Sequence, residues 1–185
     1  MRLPVFNFFR KNVLFLGVLL AVSMFPQIAT ISPIFLFMQA TGLRNTYLGL
    51  IIPYTTFALP LSIWYMTTFF FKKIPYELEE AAKVDGASIM QTFRKILLPL
   101  AAPGLFTTAI IVFVDAWHEF FFSLTINTKE SMMTVPVGIA MFQGEFTFLG
   151  EISAATITVT VPVAILVLLF QRQIVSGLTS GAVKE

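Results

Sequence analysis

Residues 77–99 read ELEEAAKVDGASIMQTFRKILLP and form a charged stretch in an otherwise apolar chain. Apolar segments long enough to cross a bilayer lie on both sides of it. A membrane protein that builds a charged, small-residue loop between two spans usually binds another protein there. The stretch therefore indicates a membrane protein with a docking loop, and the partner of that loop decides the function.

The composition excludes several classes of protein. Hydrophobic residues make up 57% of the chain and charged residues 12%, whereas a soluble domain carries roughly twice that charge. The mean hydropathy of +0.84 and the 21 phenylalanines suit helices that face lipid. Because the chain has no Cys and one His, neither a disulfide nor a metal site is expected. A net charge of +2 gives no reason to expect nucleic acid.

Four apolar segments are predicted to span the membrane. About 20 apolar residues are needed to cross roughly 30 Å of hydrocarbon. Lipid leaves no partner for a free backbone group, and no segment shows the alternation of a membrane barrel, so helices are expected. The predicted fold is an all-α, polytopic membrane domain that occupies all of 1–185. The predicted spans are 13–38, 46–71, 104–124 and 152–170.

The basic residues predict the orientation of these spans. With four crossings, ten of the twelve Lys and Arg side chains fall on one side, and only Arg44 and Lys129 fall on the other. Positive charge is retained on the cytoplasmic side of membrane proteins. Both termini, the loop 72–99 and the tail 171–185 are therefore expected in the cytoplasm. The first apolar stretch is too long for a signal peptide and is expected to remain as a helix.

The charged loop has the start and stop signals of two short helices. Glu77, Glu79 and Glu80 lie near the positive end of the first helix, and Lys83 lies near its negative end. Gly86 is expected to end that helix in a left-handed conformation. Ser88 and Gln91 have the spacing of a capping box. These signals favour a docking helix over the alternative, a solvated connecting loop.

The loop also resembles a known motif. Glu80-Ala81-Ala82, Gly86, Ile96 and Leu98-Pro99 have the spacing of the EAA motif of binding-protein-dependent ABC importer permeases. The chain is similar to the carbohydrate, MalG-like branch of maltose and trehalose type over nearly all of its length. The segments that carry this wider similarity are 57–61, 85–87, 99–104 and 177–184.

The resemblance implies a part of a type I ABC importer transmembrane domain, in which the loop contacts a cytoplasmic ATPase. It implies two copies of that ATPase, a second homologous permease, an extracytoplasmic sugar-binding protein and a bacterial or archaeal cell membrane. The implied substrate is a disaccharide or oligosaccharide, and no cofactor is implied. The implied coupling residues are Glu80, Ala81, Ala82, Asp85, Gly86, Ala87, Ile96 and Pro99, with Gly177, Gly181 and Lys184 of the tail near the ATPase. Gly and Ser in the tail predict that it is not ordered without the ATPase.

The sequence contains no phosphate-binding G-x-x-x-x-G-K-[ST] loop and no nucleophile elbow or H-E-x-x-H pair. We therefore do not expect an enzyme, and ATP hydrolysis is expected in the partner. Members of the family have two further membrane helices before the first one here, so the sequence is expected to be a truncated form, with a natural short variant as the alternative.

Charged residues inside the third predicted span need a reason, because ionisable groups at membrane depth are costly. Asp115, Trp117, His118 and Glu119 are clustered there, and helical spacing predicts that Asp115 and Glu119 share a face. Three interpretations stay open: they line a sugar path, they pair with the partner permease, or they lie close enough to the surface to be hydrated.

Two other functions remain as alternatives. An ion-coupled transporter or channel would use Asp115 and Glu119, and a membrane scaffold would use only the loop. The transporter or channel does not explain the spacing of the EAA motif, and the scaffold predicts that changes at Asp115 or Glu119 leave the function intact. The segment 125–151 is a candidate contact for the binding protein, with a plain loop as the alternative.

Overall fold

The computed structural model describes residues 13–75, 77–141 and 149–179, and within these ranges it contains helices and no strand. This confirms the predicted all-α class. A π-helical turn covers Phe93–Leu97, and a 3-10 turn covers Glu130–Met132. The α-helices are α1 (Val13–Ser23), α2 (Gln27–Ala40), α3 (Tyr47–Lys73), α4 (Glu77–Val84), α5 (Ile89–Thr92), α6 (Leu98–His118), α7 (Phe121–Ile126), α8 (Val135–Met141) and α9 (Leu149–Thr179).

Three helical stretches of the described chain are long and apolar enough to cross a membrane: Tyr47–Phe70, Ile89–His118 and Gly150–Arg172. The segment predicted as a first span, 13–38, contains two helices with a sharp bend between them, and the described chain has up to four spans if this bent pair counts as one. The break lies at Pro26, which has an extended ψ of 119°. Because proline cannot donate a backbone hydrogen bond and keeps the preceding residue out of the helical region, α1 cannot continue into α2.

Two predicted boundaries differ from the helices. The predicted third span, 104–124, does not coincide with one helix, because α6 ends at His118 and α7 begins at Phe121. The predicted tail, 171–185, begins inside α9, which continues to Thr179 through Gly177. Gly181 and Lys184 lie outside the described residues.

The chain divides into two compact units. The unit formed by 24–59 and 111–169 has a core of Met38, Phe122 and Ile126, each 1% exposed. The rings of Phe57 and Phe122 lie 5.5 Å apart. The other side chains packed on this core are Ile31, Ile34, Leu43, Leu50 and Tyr54. This packing joins the short helix α7 to α2 and α3.

The other unit contains 13–23, 60–110 and 170–179 of the described chain. Here α3 and α6 approach closely at Gly104, where a Cβ atom would lie 2.7 Å from the ring of Phe69. Only a glycine allows this approach. Leu97 and Ala101, on the same face of the helix, are buried.

The π turn lies where the charged loop enters the span. The N–H of Leu98 bonds to the carbonyl of Phe93, five residues back, and Pro99 next to it has no N–H to donate. Thr92 and Leu97 are both buried, although five residues of regular α-helix would place them about 140° apart. The wider turn accommodates one extra residue and so brings both side chains to the buried face.

Candidate functional site

The helix of the charged loop, α4, has one buried and one exposed face. Glu79 and Ala82 are 6% and 3% exposed, and Lys83 lies 3.8 Å from the Glu79 carboxylate. Glu80, Ala81 and Asp85 are exposed. Of the residues predicted to contact an ATPase, Ala82 is therefore packed inside its own unit. The buried position of Ala82 accounts for a small side chain there, but it does not support a direct contact between Ala82 and an ATPase.

The turn after α4 is built as the sequence predicts. Gly86 has a φ of +75°. The Ala87 N–H bonds to the Ala82 carbonyl at 2.9 Å, and the Gly86 N–H bonds to the Lys83 carbonyl at 3.0 Å. These two bonds form a Schellman motif. A Cβ atom at Gly86 would have no atom within 4 Å, so the backbone angle and not space requires glycine.

The capping box at the start of α5 is also confirmed. The Gln91 N–H donates to Ser88 Oγ at 3.3 Å, and the Ser88 N–H donates to Gln91 Oε1 at 2.8 Å. Ala87 and Ile96 are half-buried and Pro99 is exposed. The loop is thus a preformed helix–turn–helix surface that ends in the π turn.

This surface exposes apolar side chains that the sequence analysis did not single out. Val84 is 88% exposed, Ile89 64% and Met90 58%. They flank the Gly86 turn within the most polar part of the chain, and we call them the docking patch. Apolar residues next to charged ones, in a loop outside the spans predicted from the sequence, are the signal that could have identified it. Exposed apolar patches of this kind mark a surface for another protein or for the membrane.

The second region is the end of α6. Asp115 and His118 are exposed, and His118 Nδ1 donates to the Val114 carbonyl at 2.9 Å. Trp117 is half-buried, and its ring lies 5.4 Å from that of Phe113. The indole Nε1 of Trp117 is buried and has no hydrogen-bond partner within the described ranges. The end of α6 therefore offers an aromatic pair, a free indole N–H and an accessible carboxylate.

Glu119 does not share a helix face with Asp115, because α6 ends before it. Its Oε2 accepts the Tyr54 hydroxyl at 2.6 Å and the Ser123 N–H at 3.1 Å, while Oε1 accepts the Phe122 N–H at 2.7 Å. The carboxylate thus caps α7 and bonds to α3. Tyr54, which no local pattern marks, is the partner that the sequence analysis missed.

Residues 121–141, which we call the return element, are compact and not a plain loop. Ser123, Asn127 and Val137 are at most 1% exposed. The Thr134 N–H donates to Ser123 Oγ at 2.9 Å, and Thr134 Oγ1 donates to the Glu119 carbonyl at 2.9 Å. The remainder of the predicted 125–151 contact includes 142–148, which lie outside the described residues.

A second polar contact holds the return element to the segment before α3. Asn45, with a φ of 57°, accepts through Oδ1 from the N–H groups of Thr128 and Lys129 at 2.6 and 2.9 Å. Its Nδ2 donates to Thr128 Oγ1 at 3.0 Å. Among the described residues, no three His, Asp or Glu side chains are grouped so that they could hold a metal ion.

The chain is similar to known permeases. The family described as binding-protein-dependent transport system inner membrane component matches residues 5–180. The trehalose transport system permease protein SugB of Mycobacterium tuberculosis is 49% identical over 92% of this chain and 63% of its own length. The trehalose/maltose transport system permease protein MalG of Thermococcus litoralis is 46% identical, over 95% of this chain and 64% of its own.

The sulfoquinovosyl glycerol transport system permease protein SmoH of Agrobacterium fabrum is 45% identical, over 95% of this chain and 61% of its own length. The chain thus spans less than two thirds of the length of each of these three relatives. The match to the family covers almost the whole chain and includes the charged loop and the return element. The chain therefore belongs to the family of binding-protein-dependent transport system inner membrane components.

Proposed function

We propose that the chain is part of the transmembrane permease subunit of an ATP-driven ABC importer for sugars. The residues 77–99 serve as its coupling loop, which receives the cytoplasmic ATPase. A second permease subunit, two ATPase copies and an external sugar-binding protein complete the transporter. The observation that carries the proposal is the docking patch, Val84, Ile89 and Met90, exposed on a rigid turn beside the spans.

The geometry of the loop supports coupling as well as docking. Glu80, Ala81, Asp85 and Gly86 lie on or beside the exposed side of α4, and the helix is fixed by the Schellman motif at its end. Because α4 is held by this motif, movement of a bound ATPase would displace the helix as a whole. Because α5, the π turn and α6 form one continuous helix from Ile89 to His118, the movement reaches the span directly. Gly177, Gly181 and Lys184 of the tail belong to the proposed ATPase contact on the strength of the resemblance.

The end of α6 is the proposed substrate path. Aromatic rings bind the apolar faces of sugars, and carboxylates and indole N–H groups bind their hydroxyls. The rings of Phe113 and Trp117 and the exposed carboxylate of Asp115 provide both kinds of contact, and His118 adds a polar group beside them. The names of the relatives point to trehalose, maltose and sulfoquinovosyl glycerol as the substrates to test.

Alternating access follows from these parts. ATP binding closes the ATPase pair, the coupling loop follows, and the path switches from inward-facing to outward-facing. The loaded binding protein favours the outward-facing state. Because one continuous helix carries both the end of the coupling loop and the residues of the path, the switch is a movement of whole helices.

The test is sugar uptake into proteoliposomes that contain the full-length subunit with its partner permease and ATPase. Uptake of labelled trehalose, maltose or sulfoquinovosyl glycerol should require both ATP inside and the binding protein outside. Uptake driven by an ion gradient without the ATPase would support the ion-coupled alternative. No uptake under either condition, with the ATPase still bound, would support the scaffold.

A further inference from the structure

We propose that Glu119 is a positioning residue of transport, which couples the return element to α3 and α6 through Tyr54 and its own backbone. This inference rests on the proposed function, because it assigns to the opposite end of α6 a coupling role like that of the loop 77–99. The proposal separates two roles within the cluster 115–119. Asp115, Trp117 and His118 belong to the proposed substrate path, and Glu119 keeps α3, α6 and the return element in contact.

The first argument is that most of the accepting capacity of the Glu119 carboxylate is used inside the chain. Its two oxygens accept three hydrogen bonds of 2.6 to 3.1 Å, from Tyr54, Phe122 and Ser123. A carboxylate with this many donors has little capacity left for a substrate hydroxyl. Bonds to an ionised acceptor are also the strong ones, above all where water is scarce.

The second argument is that these bonds join three elements at one residue. Tyr54 lies on α3, Glu119 directly follows α6, and the two amides belong to the first turn of α7. The Glu119 carbonyl accepts a further bond from Thr134 at the start of α8. A displacement of the return element is therefore passed to both α3 and α6 through the side chain and backbone of Glu119.

The third argument is that the return element is held together by enough contacts to transmit such a displacement. Its polar groups bond to each other, since the Thr134 N–H donates to Ser123 Oγ, and Asn45 fixes its far side by accepting from the N–H groups of Thr128 and Lys129. The apolar side of α7 packs on Met38 and Phe57 through Phe122. These contacts hold the element to its unit at several points, as transmission requires.

The experiment compares Tyr54→Phe with Tyr47→Phe in the complete purified transporter. Tyr54→Phe removes one hydroxyl, the donor to Glu119, and leaves the ring. Tyr47 lies on the same helix and is 70% exposed, so Tyr47→Phe is a matched control. ATPase activity is measured alone and with the binding protein loaded with a sugar that stimulates the wild-type complex, from the trehalose, maltose and sulfoquinovosyl glycerol panel.

Tyr54→Phe should lower stimulation by the loaded binding protein about fivefold, the lower range of allosteric coupling between sites. Its basal ATPase activity and its yield of assembled complex should equal those of Tyr47→Phe and wild type. Glu119→Gln should lower the stimulation further, and Tyr54→Phe should add little in that background because both changes act on the same bond. Normal stimulation in Tyr54→Phe, or an equal loss of basal and stimulated activity, would overturn the proposal.

Amide hydrogen exchange gives a second measurement that needs no sugar. Glu119→Gln should speed exchange at Phe122 and Ser123, whose N–H groups lose a charged acceptor, while exchange over 77–98 stays at the wild-type rate. Unchanged exchange at these two amides would overturn the proposal at its geometric basis. A wild-type complex that no binding protein and sugar stimulates would instead contradict the proposed function, so the two failures are distinguishable.

Discussion

The backbone of Gly86 is left-handed, with a φ of +75° and open space where a Cβ would lie. A β-branched residue is strained by about 1–2 kcal/mol in this region, whereas Asn tolerates it. Gly86→Val should therefore reduce the amount of ATPase that co-purifies with the full-length subunit by roughly five- to thirtyfold. Gly86→Asn should bind nearly as wild type, because it adds a side chain without forbidding the turn. Equal binding by the two variants would contradict a role for the turn geometry.

At Gly104, glycine is required by the lack of room for a side chain and not by the backbone angle, which leads to a different prediction. The Cβ of Gly104→Ala would lie 2.7 Å from the Phe69 ring, so the substitution should destabilise the subunit by about 1–3 kcal/mol. Gly138→Ala, at a helical site with no atom within 4 Å, is the control and should be neutral or slightly stabilising.

Thermal unfolding of the detergent-purified subunit measures both changes. Adding Phe69→Leu should recover part of the loss in Gly104→Ala, because contacting residues are energetically coupled. Strictly additive effects of the two substitutions would show that α3 and α6 do not meet at this point.

At the scale of elements, the sequence predicts what local chemistry determines. The left-handed Gly86 and the Ser88–Gln91 box depend on neighbouring residues, and both are found. The end of α6 was not predicted, since the chain becomes apolar again at Phe120–Leu124 directly after the charged cluster 115–119. The capping of α7 depends on Glu119 together with Tyr54, a residue distant in sequence. The length of 13–38 and the prolines inside it made a kink one of the possibilities, but which proline breaks the helix has no local signal, because Pro103 lies inside a continuous helix.

The π turn gives a prediction about register. If the turn contains one extra residue, deletion of Lys95 should convert 93–97 to regular α-helix and leave Thr92 and Leu97 on the same face. The deletion variant should then insert and bind the ATPase at close to wild-type levels. Deletion of Ala109, within regular α-helix, rotates one half of the helix by about 100° and should abolish the complex. Membrane yield and co-purified ATPase measure both; equal damage from the two deletions would contradict the register argument.

At the scale of the whole molecule, the exposed surface of the spans is apolar, which suits lipid or another membrane subunit. On α9, Ile157, Ile165 and Leu168 are more than half exposed, whereas Val163 is buried. Because the surface of the spans is apolar as well as their interior, the composition alone was enough to predict a membrane protein. Which of these side chains face lipid depends on chains beyond this one, and the sequence carries no local signal for that.

The orientation can be tested directly because the chain has no native cysteine. Met90→Cys lies in the coupling loop and Lys129→Cys in the return element, and both sites are exposed. A membrane-impermeant maleimide added to intact cells should label Lys129→Cys, and it should label Met90→Cys only after permeabilisation. The opposite pattern would reverse the topology that the basic residues predict.

The most direct measurement is ATPase co-purification with two matched variants of the full-length subunit, Val84→Asp and Val135→Asp. Val84 is 88% exposed in the docking patch, and Val135 is 39% exposed in the return element. An Asp at position 84 places a charge in the apolar contact, so binding of the ATPase should be lost while membrane insertion is unchanged. Val135→Asp should bind the ATPase as wild type does. Equal binding by both variants would contradict the assignment of residues 77–99 as the coupling loop, and with it the proposed function.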